Sequence, residues 1–208
     1  MRRFLLHNSN GFYYTLDVTN ADCYEGTTTL INKLGIKDET ELNSCEALIT
    51  AYKAASLINE PLAHNFGFED CKRLHRVLFE ELYNWAGQPR TIALSKTATV
   101  FIAPEKIEEL GTLIFARLKK MDYFTKLPQG KFIAEATDLY HSLNMLHPFR
   151  EGNGRTERVF FMQLIRNAGY DIDYSTLNSD LLMIGSIQAA GGVMDTLARF
   201  FEENIISR

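Results

Sequence analysis

The sequence predicts an all-α domain that carries one small β-hairpin, and three observations lead to this class. The 208 residues, 46% of them hydrophobic, suit one compact domain with an apolar core. From Asp38 onward, apolar residues recur at helical spacings of three and four over most of the chain. One short segment, RTIALSKTATVFIA at 90–103, is instead rich in β-branched residues and lies between two prolines, which favours a hairpin.

Two amphipathic helices open the predicted domain. Asp38 is placed to cap the first, over 38–58. Its predicted buried face contains Leu42, Cys45, Leu48, Ile49, Tyr52 and Ala55. The second helix, within FEDCKRLHRVLFEELYNWAG at 68–87, carries its apolar pattern through Trp85 and stops at Gly87.

The remaining helices follow the hairpin. Pro104 suits the first turn of a helix that continues through Leu118. Further helical patterns cover 132–146, 155–168, 178–187 and 192–204. Residues 1–37 show little periodicity, so we predict an extended, loosely structured lead-in there and one helical domain over 38–208.

Composition excludes several classes of protein. A net charge of −4 and a pI near 5.8 argue against broad nucleic-acid binding. The three cysteines form no CxxC pair, so neither a zinc site nor a disulfide framework is indicated, and Cys45 and Cys71 are interpreted as reduced thiols on helices. No apolar run reaches the roughly 18 residues of a membrane span, and we expect a cytoplasmic protein.

The segment HPFREGNGRTER, 147–158, contains most of the candidate catalytic and phosphate-binding residues. Pro148 disfavours helical geometry in the residue before it, and GNG at 152–154 is a flexible turn that opens a new helix near Arg155. Such a turn presents unpaired backbone N–H groups and a helix dipole to an anion. Arg155 and Arg158, three residues apart, project on one side of the helix and can grip phosphates.

Three further residues of this segment complete the prediction. Glu151 suits Mg²⁺, which commonly binds one or two carboxylates together with substrate oxygens. His147 suits proton acceptance near neutral pH, and Phe149 would point inward and anchor the turn. A base, a metal carboxylate, an anion cradle and two phosphate clamps together indicate transfer of a phosphorus-centred group to a hydroxyl.

The segment also resembles a known family. It matches the Fic pattern H-x-F-x-[D/E]-G-N-G-R-x-x-R at all eight specified positions. LHRVLFEELYNWAGQPR at 74–90 looks like the Fic helix that leads to the flap, and SKTATVFIAP at 95–104 looks like the flap. The resemblance covers roughly residues 38–204 and implies the Fic fold, a helical bundle with a small β-hairpin flap over the active site.

The resemblance implies protein adenylylation, in which AMP passes from ATP to a Ser, Thr or Tyr hydroxyl of a target protein. His147 would be the general base, and Glu151 would hold Mg²⁺ that bridges the phosphates. The anion hole would be formed by Gly152, Asn153 and Gly154, with Asn153 near the α-phosphate. Arg155 and Arg158 would bind the outer phosphates. Nucleotide contacts are also implied for Lys96 in the flap and for Asn144, and the adenine pocket is expected near 183–192.

Regulation and partners are the least determined part of the resemblance. Many Fic proteins carry an inhibitory motif, [S/T]-x-x-x-E-[G/N], whose glutamate pairs with the second arginine of the active-site motif. The chain has no full match, since the candidates ending at Glu25 and Glu203 fail at the first position. We favour a toxin-like member that a small separate antitoxin inhibits, over a degenerate internal helix. A topoisomerase subunit is a target suggested only by analogy.

Other functions remain open. A relative that transfers UMP, phosphate or phosphocholine is one alternative, although kinase-like relatives usually replace the second glycine and following arginine of GNGR. A catalytically silent protein-binding module is the other, and the intact motif argues against it. Within the motif, Glu157 occupies an unspecified position, and we expect it to be a surface residue. We expect structural or surface roles for the four histidines outside the motif, His7, His64, His75 and His141.

Overall fold

The computed structural model describes residues 4–7, 13–16, 22–59, 66–96, 99–172 and 178–208. Over these residues the chain is mostly helical with a small antiparallel sheet, which confirms the predicted class. Its α-helices are α1 (Glu39–Asn59), α2 (Phe68–Phe79), α3 (Ile107–Lys120), α4 (Gln129–Leu146), α5 (Asn153–Asn167), α6 (Ser179–Ala190) and α7 (Asp195–Asn204). No described helix combines the length and the apolarity that crossing a bilayer requires.

Helix α1 begins as predicted but buries a face that matches the prediction only in part. The Asp38 carboxylate accepts the Glu41 N–H at 2.8 Å and caps the first turn. Leu48 and Tyr52, predicted to be buried, are each 74% exposed. The buried positions include Leu42, Glu46, Thr50 and Leu57. The face prediction is therefore right for Leu42 and wrong for Leu48 and Tyr52, because two inward polar side chains that bind other elements set the rotation of the helix.

Helix α2 is shorter than predicted. It ends at Phe79, and turns stabilised by backbone hydrogen bonds to Phe79 lead on to Gly87. Tyr83 and Trp85 lie in these turns, with their rings stacked 4.3 Å apart. Both rings still pack against the core, so the apolar pattern correctly predicted burial but not helical geometry.

Helix α5 runs through the centre of the bundle and packs against α1, α2 and α4. Phe160 and Phe161 of α5 are fully buried. Aromatic rings from α3 and α4 meet them edge-on, including Phe115 at 5.4 Å from Phe160 and Tyr140 at 5.1 Å from Phe161. Because the core surrounds α5, the loop before it is fixed to the most buried element of the fold.

The predicted hairpin consists of β3 (Leu94–Lys96) and β4 (Thr99–Val100), paired antiparallel. Strands β1 (Phe4–His7) and β2 (Tyr13–Leu16) extend it into a sheet of order β1-β2-β3-β4. A second small pair joins β5 (Tyr170–Asp171) to β6 (Ile206–Ser207). The sequence patterns indicated neither addition.

The predicted lead-in, 1–37, lies only partly within the described residues, which omit 1–3, 8–12 and 17–21. Its described strands join the flap sheet, and its later part contacts the core, where the Lys33 N–H donates to the Leu82 carbonyl at 2.8 Å. The domain boundary at residue 38 stays a prediction. His64 is also outside the described residues. The three cysteines are free.

Candidate active site

The motif 147–158 forms the turn between α4 and α5. His147 ends α4 in the left-handed region, with φ 43° and ψ 60°. Gly152, with φ 80°, precedes the first residue of α5, Asn153, so the helix begins two residues earlier than predicted. The first N–H groups of a helix have no intrahelical partners, and here they point out of the GNG turn. The sequence prediction of a glycine turn that opens a helix is therefore confirmed.

The Asn153 side chain closes this turn. Its Oδ1 accepts the Phe149 N–H and its Nδ2 donates to the Phe149 carbonyl, both at 2.9 Å. The side chain is buried. It therefore holds the loop together, and the part of Asn153 that remains for an anion is its backbone N–H.

His147 lies under the flap. Its ring stacks on Phe101 at 3.7 Å, and its Nδ1 is 3.3 Å from the Asn144 carbonyl oxygen. A carbonyl can only accept, so Nδ1 carries the proton of the neutral ring and Nε2 is left basic. Burial, assisted by the positive charges of Arg90 and Lys96, lowers the pKa of His147 to about 3, so the ring is neutral at physiological pH.

Arg90 is a site residue that the sequence analysis missed. Its buried guanidinium donates to the backbone carbonyls of His147 at 2.8 Å, of Ile92 at 2.6 Å and of Ile102. In addition, the Arg90 N–H donates to the Pro148 carbonyl at 2.8 Å. One side chain thus joins the base of the flap to the turn that carries the histidine.

His75 supports the motif from below. Its Nδ1 accepts the Gly87 N–H at 2.8 Å, so Nε2 carries the proton and donates to the Glu151 carbonyl at 3.0 Å. The ring stacks on Phe149 at 3.8 Å. Burial lowers the pKa of His75 to about 4 and keeps it neutral. The expected structural role of His75 and the expected inward anchor at Phe149 are both observed.

Glu151 and Arg155 meet at the mouth of the turn. Glu151 Oε1 accepts the Gly152 N–H at 2.9 Å and lies 3.3 Å from Arg155 Nη2. Arg155 also binds Glu46 of α1, and its guanidinium lies 4.9 Å over the Phe79 ring. Glu46 was missed, although a glutamate four residues after Leu42 and four before Thr50 is a detectable inward polar position.

The other predicted nucleotide contacts differ in their surroundings. Arg158 is half-buried and makes no hydrogen bond or ion pair with any residue in the described ranges. Burial lowers the pKa of Lys96, and the negative charge of Glu151 opposes this shift. The positive charge of Lys96 in turn lowers the pKa of His147. The Lys96 ammonium therefore lies near both Glu151 and His147. Asn144 contacts His147 through its backbone carbonyl. The nucleotide roles of all three stay predictions.

The segment 183–192 lies in and just after α6. Gly185 sits against α7, where a Cβ built on it would be 3.0 Å from the Leu197 backbone nitrogen. Ile184 and Ile187 of the same helix are partly exposed. The proposed adenine contact of this segment stays a prediction.

Glu157 is not the surface residue that was expected. It is 5% exposed and lines a small cavity beneath the motif together with Cys71 and Leu143. Its Oε1 has no hydrogen-bond partner among the described residues. Burial raises the pKa of Glu157 to about 8 against the opposing charge of Arg158, so the carboxyl is protonated near neutral pH. The expectation failed because α5 is enclosed by other helices and this position faces the core.

We expect Glu157→Gln to change the pH dependence of stability. A carboxyl whose pKa rises from 4.5 unfolded to about 8 folded holds a proton that unfolding releases, so wild-type stability falls as pH rises through this window. The amide does not titrate. The melting temperature of Glu157→Gln relative to wild type should therefore increase from pH 5 to pH 8, measured by thermal unfolding.

Exposed Glu202 provides the control for this experiment. Glu202→Gln should shift the melting temperature by the same small amount at both pH values. A constant difference between Glu157→Gln and wild type would show that Glu157 titrates normally.

Comparison with known proteins shows the family of the chain. A model of the Fic/DOC family matches residues 65–165, which include the whole motif. The probable protein adenylyltransferase y4lH of Sinorhizobium fredii is 34% identical over 177 residues, 85% of this chain and 91% of that protein. The chain belongs to the Fic/DOC family. The predicted family and the predicted Fic fold are both confirmed.

Two further similar proteins come from Bartonella. The protein adenylyltransferase VbhT of Bartonella schoenbuchensis is 32% identical over 86% of this chain, which corresponds to 37% of VbhT. The crystal structure of the BepC protein of Bartonella tribocorum, with bound AMPPNP, superposes with a TM-score of 0.84 at 26% identity, over 91% of this chain and 98% of the crystallised chain. A protein of this architecture therefore binds an ATP analogue.

Proposed function

We propose that this Fic protein is a protein adenylyltransferase that moves AMP from ATP to a Ser, Thr or Tyr hydroxyl of a target protein. The observation that carries the proposal is the convergence of a neutral imidazole, a carboxylate and an arginine at the N-terminus of α5. The adenylyltransferase names of two relatives, and the AMPPNP bound to a third, support the same reaction.

The residues divide the reaction between them. Backbone N–H groups at the start of α5 and the helix dipole bind the phosphates, and Arg155 and Arg158 bind the outer ones. His147 Nε2 accepts the proton of the target hydroxyl. The hydroxyl oxygen forms a bond to the α-phosphorus while the bond to pyrophosphate breaks, and pyrophosphate leaves.

The site also fits Mg²⁺, with Glu151 as its ligand. Among the described residues no group of three or more His, Cys, Asp or Glu could hold a metal, so a cation here would share its coordination with substrate oxygens. Mg²⁺ commonly binds in this way, through one or two carboxylates and phosphates. Its contribution would be neutralisation of phosphate charge. Glu151 is partly exposed and lies beside the anion cradle, where that charge arises.

The deciding experiment follows radiolabelled ATP into protein in a cell lysate. Label at the α-phosphate should be incorporated with the purified chain and Mg²⁺, and EDTA should abolish the incorporation. Incorporation from γ-labelled ATP would instead indicate a kinase. If neither the α-labelled nor the γ-labelled ATP gives labelled protein, two alternatives remain: transfer of UMP or phosphocholine, or a silent binding module. Labelled UTP and labelled CDP-choline test the first alternative.

The target hydroxyl lies on a segment that pairs with the flap. β4 forms one edge of the four-stranded sheet, and an edge strand offers backbone hydrogen bonds to an added strand. Such pairing recognises backbone more than side chains, so the flap sequence does not specify the target. Mass spectrometry of the labelled protein identifies it and tests the suggested topoisomerase subunit. Because ATP is available in the cytoplasm, we place the reaction there.

An inhibitor supplied by a separate small antitoxin remains our proposal for regulation. Glu203 pairs with Arg199 of its own helix, and Glu25 is exposed, so neither candidate internal glutamate is bound to Arg158. Arg158, which is half-buried and has no ion-pair partner among the described residues, is the group that we propose a glutamate from another chain binds.

We expect expression of this chain alone to slow bacterial growth. The His147→Ala variant, expressed to the same level, should not slow it, because the toxicity comes from target modification. Growth curves of the two strains provide the measurement. Equal growth of both strains would contradict the toxin assignment.

A further inference from the structure

A buried polar cluster connects three separate parts of the chain behind the motif. Glu46 of α1 is 5% exposed. Its Oε2 accepts the Tyr83 hydroxyl, and its Oε1 accepts from Arg155 Nη2. Arg155 Nη1 reaches the Thr50 hydroxyl, one helical turn after Glu46, at 3.5 Å. The cluster therefore joins α1, the turn after α2 and the first turn of α5.

Burying a carboxylate is unfavourable unless charged or hydrogen-bonding partners compensate for its lost hydration. Here both carboxylate oxygens of Glu46 have partners, Tyr83 on one and Arg155 on the other. When α1 is rotated so that Glu46 is buried, Leu48 and Tyr52 on the opposite face are exposed to solvent. An apolar face was available on α1, and the fold instead presents a glutamate to Arg155.

The contacts fix the guanidinium of Arg155 on several sides. Nη2 lies between Glu46 and Glu151, Nη1 faces Thr50, and the plane lies over the Phe79 ring at 4.9 Å. These interactions use three of the five N–H donors, and no described residue takes the Nε–H or the second Nη1–H. Arg155 is thus oriented but still has donors for another anion.

We propose that Glu46 is a positioning residue that holds the Arg155 guanidinium ready for the outer phosphates of ATP. This inference rests on the proposed function, in which Arg155 binds those phosphates. A free arginine side chain samples many rotamers and loses that freedom on binding. Glu46, itself oriented by Tyr83, fixes the Arg155 side chain when the protein folds. Nucleotide binding therefore costs less side-chain conformational entropy.

The test is Glu46→Gln, which keeps the shape of the side chain and removes its charge. Binding of a non-hydrolysable ATP analogue with Mg²⁺, measured by calorimetry, should weaken by roughly 10- to 100-fold, the loss expected for a hydrogen bond between charged groups. The KM for ATP should rise in parallel while kcat stays within a few-fold. Glu41→Gln, an exposed glutamate on the same helix, should bind as wild type does.

A double-mutant cycle identifies the route of the effect. If Glu46 acts through Arg155, adding Glu46→Gln to Arg155→Ala should weaken analogue binding no further. Tyr83→Phe removes only the donor to Glu46 and should weaken binding in the same direction by less. Circular dichroism shows whether Glu46→Gln folds. If it does not fold, analogue binding by Tyr83→Phe tests the positioning role instead.

The outcomes separate this inference from the proposed function. Failure of wild type to bind the analogue would contradict the function itself. If wild type binds the analogue and Glu46→Gln binds it with equal affinity, the positioning role is overturned. The same holds for Tyr83→Phe if only that variant folds. Tighter binding by Glu46→Gln would overturn it as well, because Glu46 would then compete with the phosphates for Arg155. Additive losses in the cycle would show that Glu46 acts elsewhere.

Discussion

His147→Ala should lower the rate of AMP transfer by roughly 10²–10⁴-fold, the contribution of a positioned general base. The imidazole is placed for this role by contacts on three sides. Phe101 stacks on the ring, the Asn144 carbonyl fixes the proton on Nδ1, and Arg90 holds the His147 backbone. None of these contacts involves the N–H groups of α5 that we propose bind the phosphates, so ATP binding should persist. Initial rates with α-labelled ATP measure the first expectation, and calorimetry measures the second.

The control is His141→Ala, which removes the other histidine of the same helix. It should transfer AMP within a few-fold of wild type. Transfer by His147→Ala within a few-fold of wild type would remove His147 from the role of base. Loss of ATP binding by that variant would instead indicate that the ring mainly supports the turn.

The pH dependence of the wild-type enzyme provides a second check on the base. Burial and two positive charges lower the pKa of His147 to about 3 in the free protein, so the ring does not become protonated as pH falls through 6.5. Values of kcat/KM for ATP, once corrected for the titration of ATP itself, report ionisations of the free enzyme. They should therefore show no histidine-like decline between pH 8 and pH 5.5. Phosphates bound near Lys96 would oppose its positive charge, so we expect the pKa of His147 to be higher with ATP bound than in the free protein.

The motif could be predicted from sequence because its geometry is determined locally. Pro148 ends one helix, Gly152 allows the left-handed turn, and the next helix begins at once. The residues that support the motif could not be predicted in this way. Glu46 lies 109 positions from Arg155, and Arg90 lies 57 positions from His147. Only tertiary packing brings such pairs together.

The two wrong expectations about burial have a common physical origin. Leu48 and Tyr52 fit a helical apolar pattern, yet the side chains that bind other elements, Glu46 and Thr50, lie on the opposite face and determine the rotation of α1. Glu157 fits a surface position, yet α5 is enclosed on most sides. Periodicity alone treats every polar residue as solvent-facing, so it fails where a buried polar group has a structural role.

Gly152→Ala should damage the turn more severely than a single methyl group usually does. Gly152 has φ 80°, and a Cβ built there would lie 2.2 Å from Phe79 Cζ and 2.3 Å from Cε2. The Phe79 ring cannot move aside easily, because it is fully buried, stacks on His75 at 4.7 Å and lies beneath Arg155. Left-handed strain and overpacking together should reduce the free energy of unfolding by on the order of 2–5 kcal/mol. Thermal unfolding measures this loss.

The other glycine of GNG supplies a matched comparison. A Cβ on Gly154 would come no closer than 3.5 Å to a described neighbour, Nη1 of Arg158, which is an ordinary contact. Gly154→Ala should therefore melt close to wild type, and so should Gly130→Ala in the first turn of α4, where nothing lies within 4 Å. Gly152→Ala should also lose binding of the ATP analogue, because relief of the clash with Phe79 requires the turn to move away from α2. Wild-type melting and binding in Gly152→Ala would mean that the turn does not need glycine, and that the anion cradle tolerates a different path of the backbone.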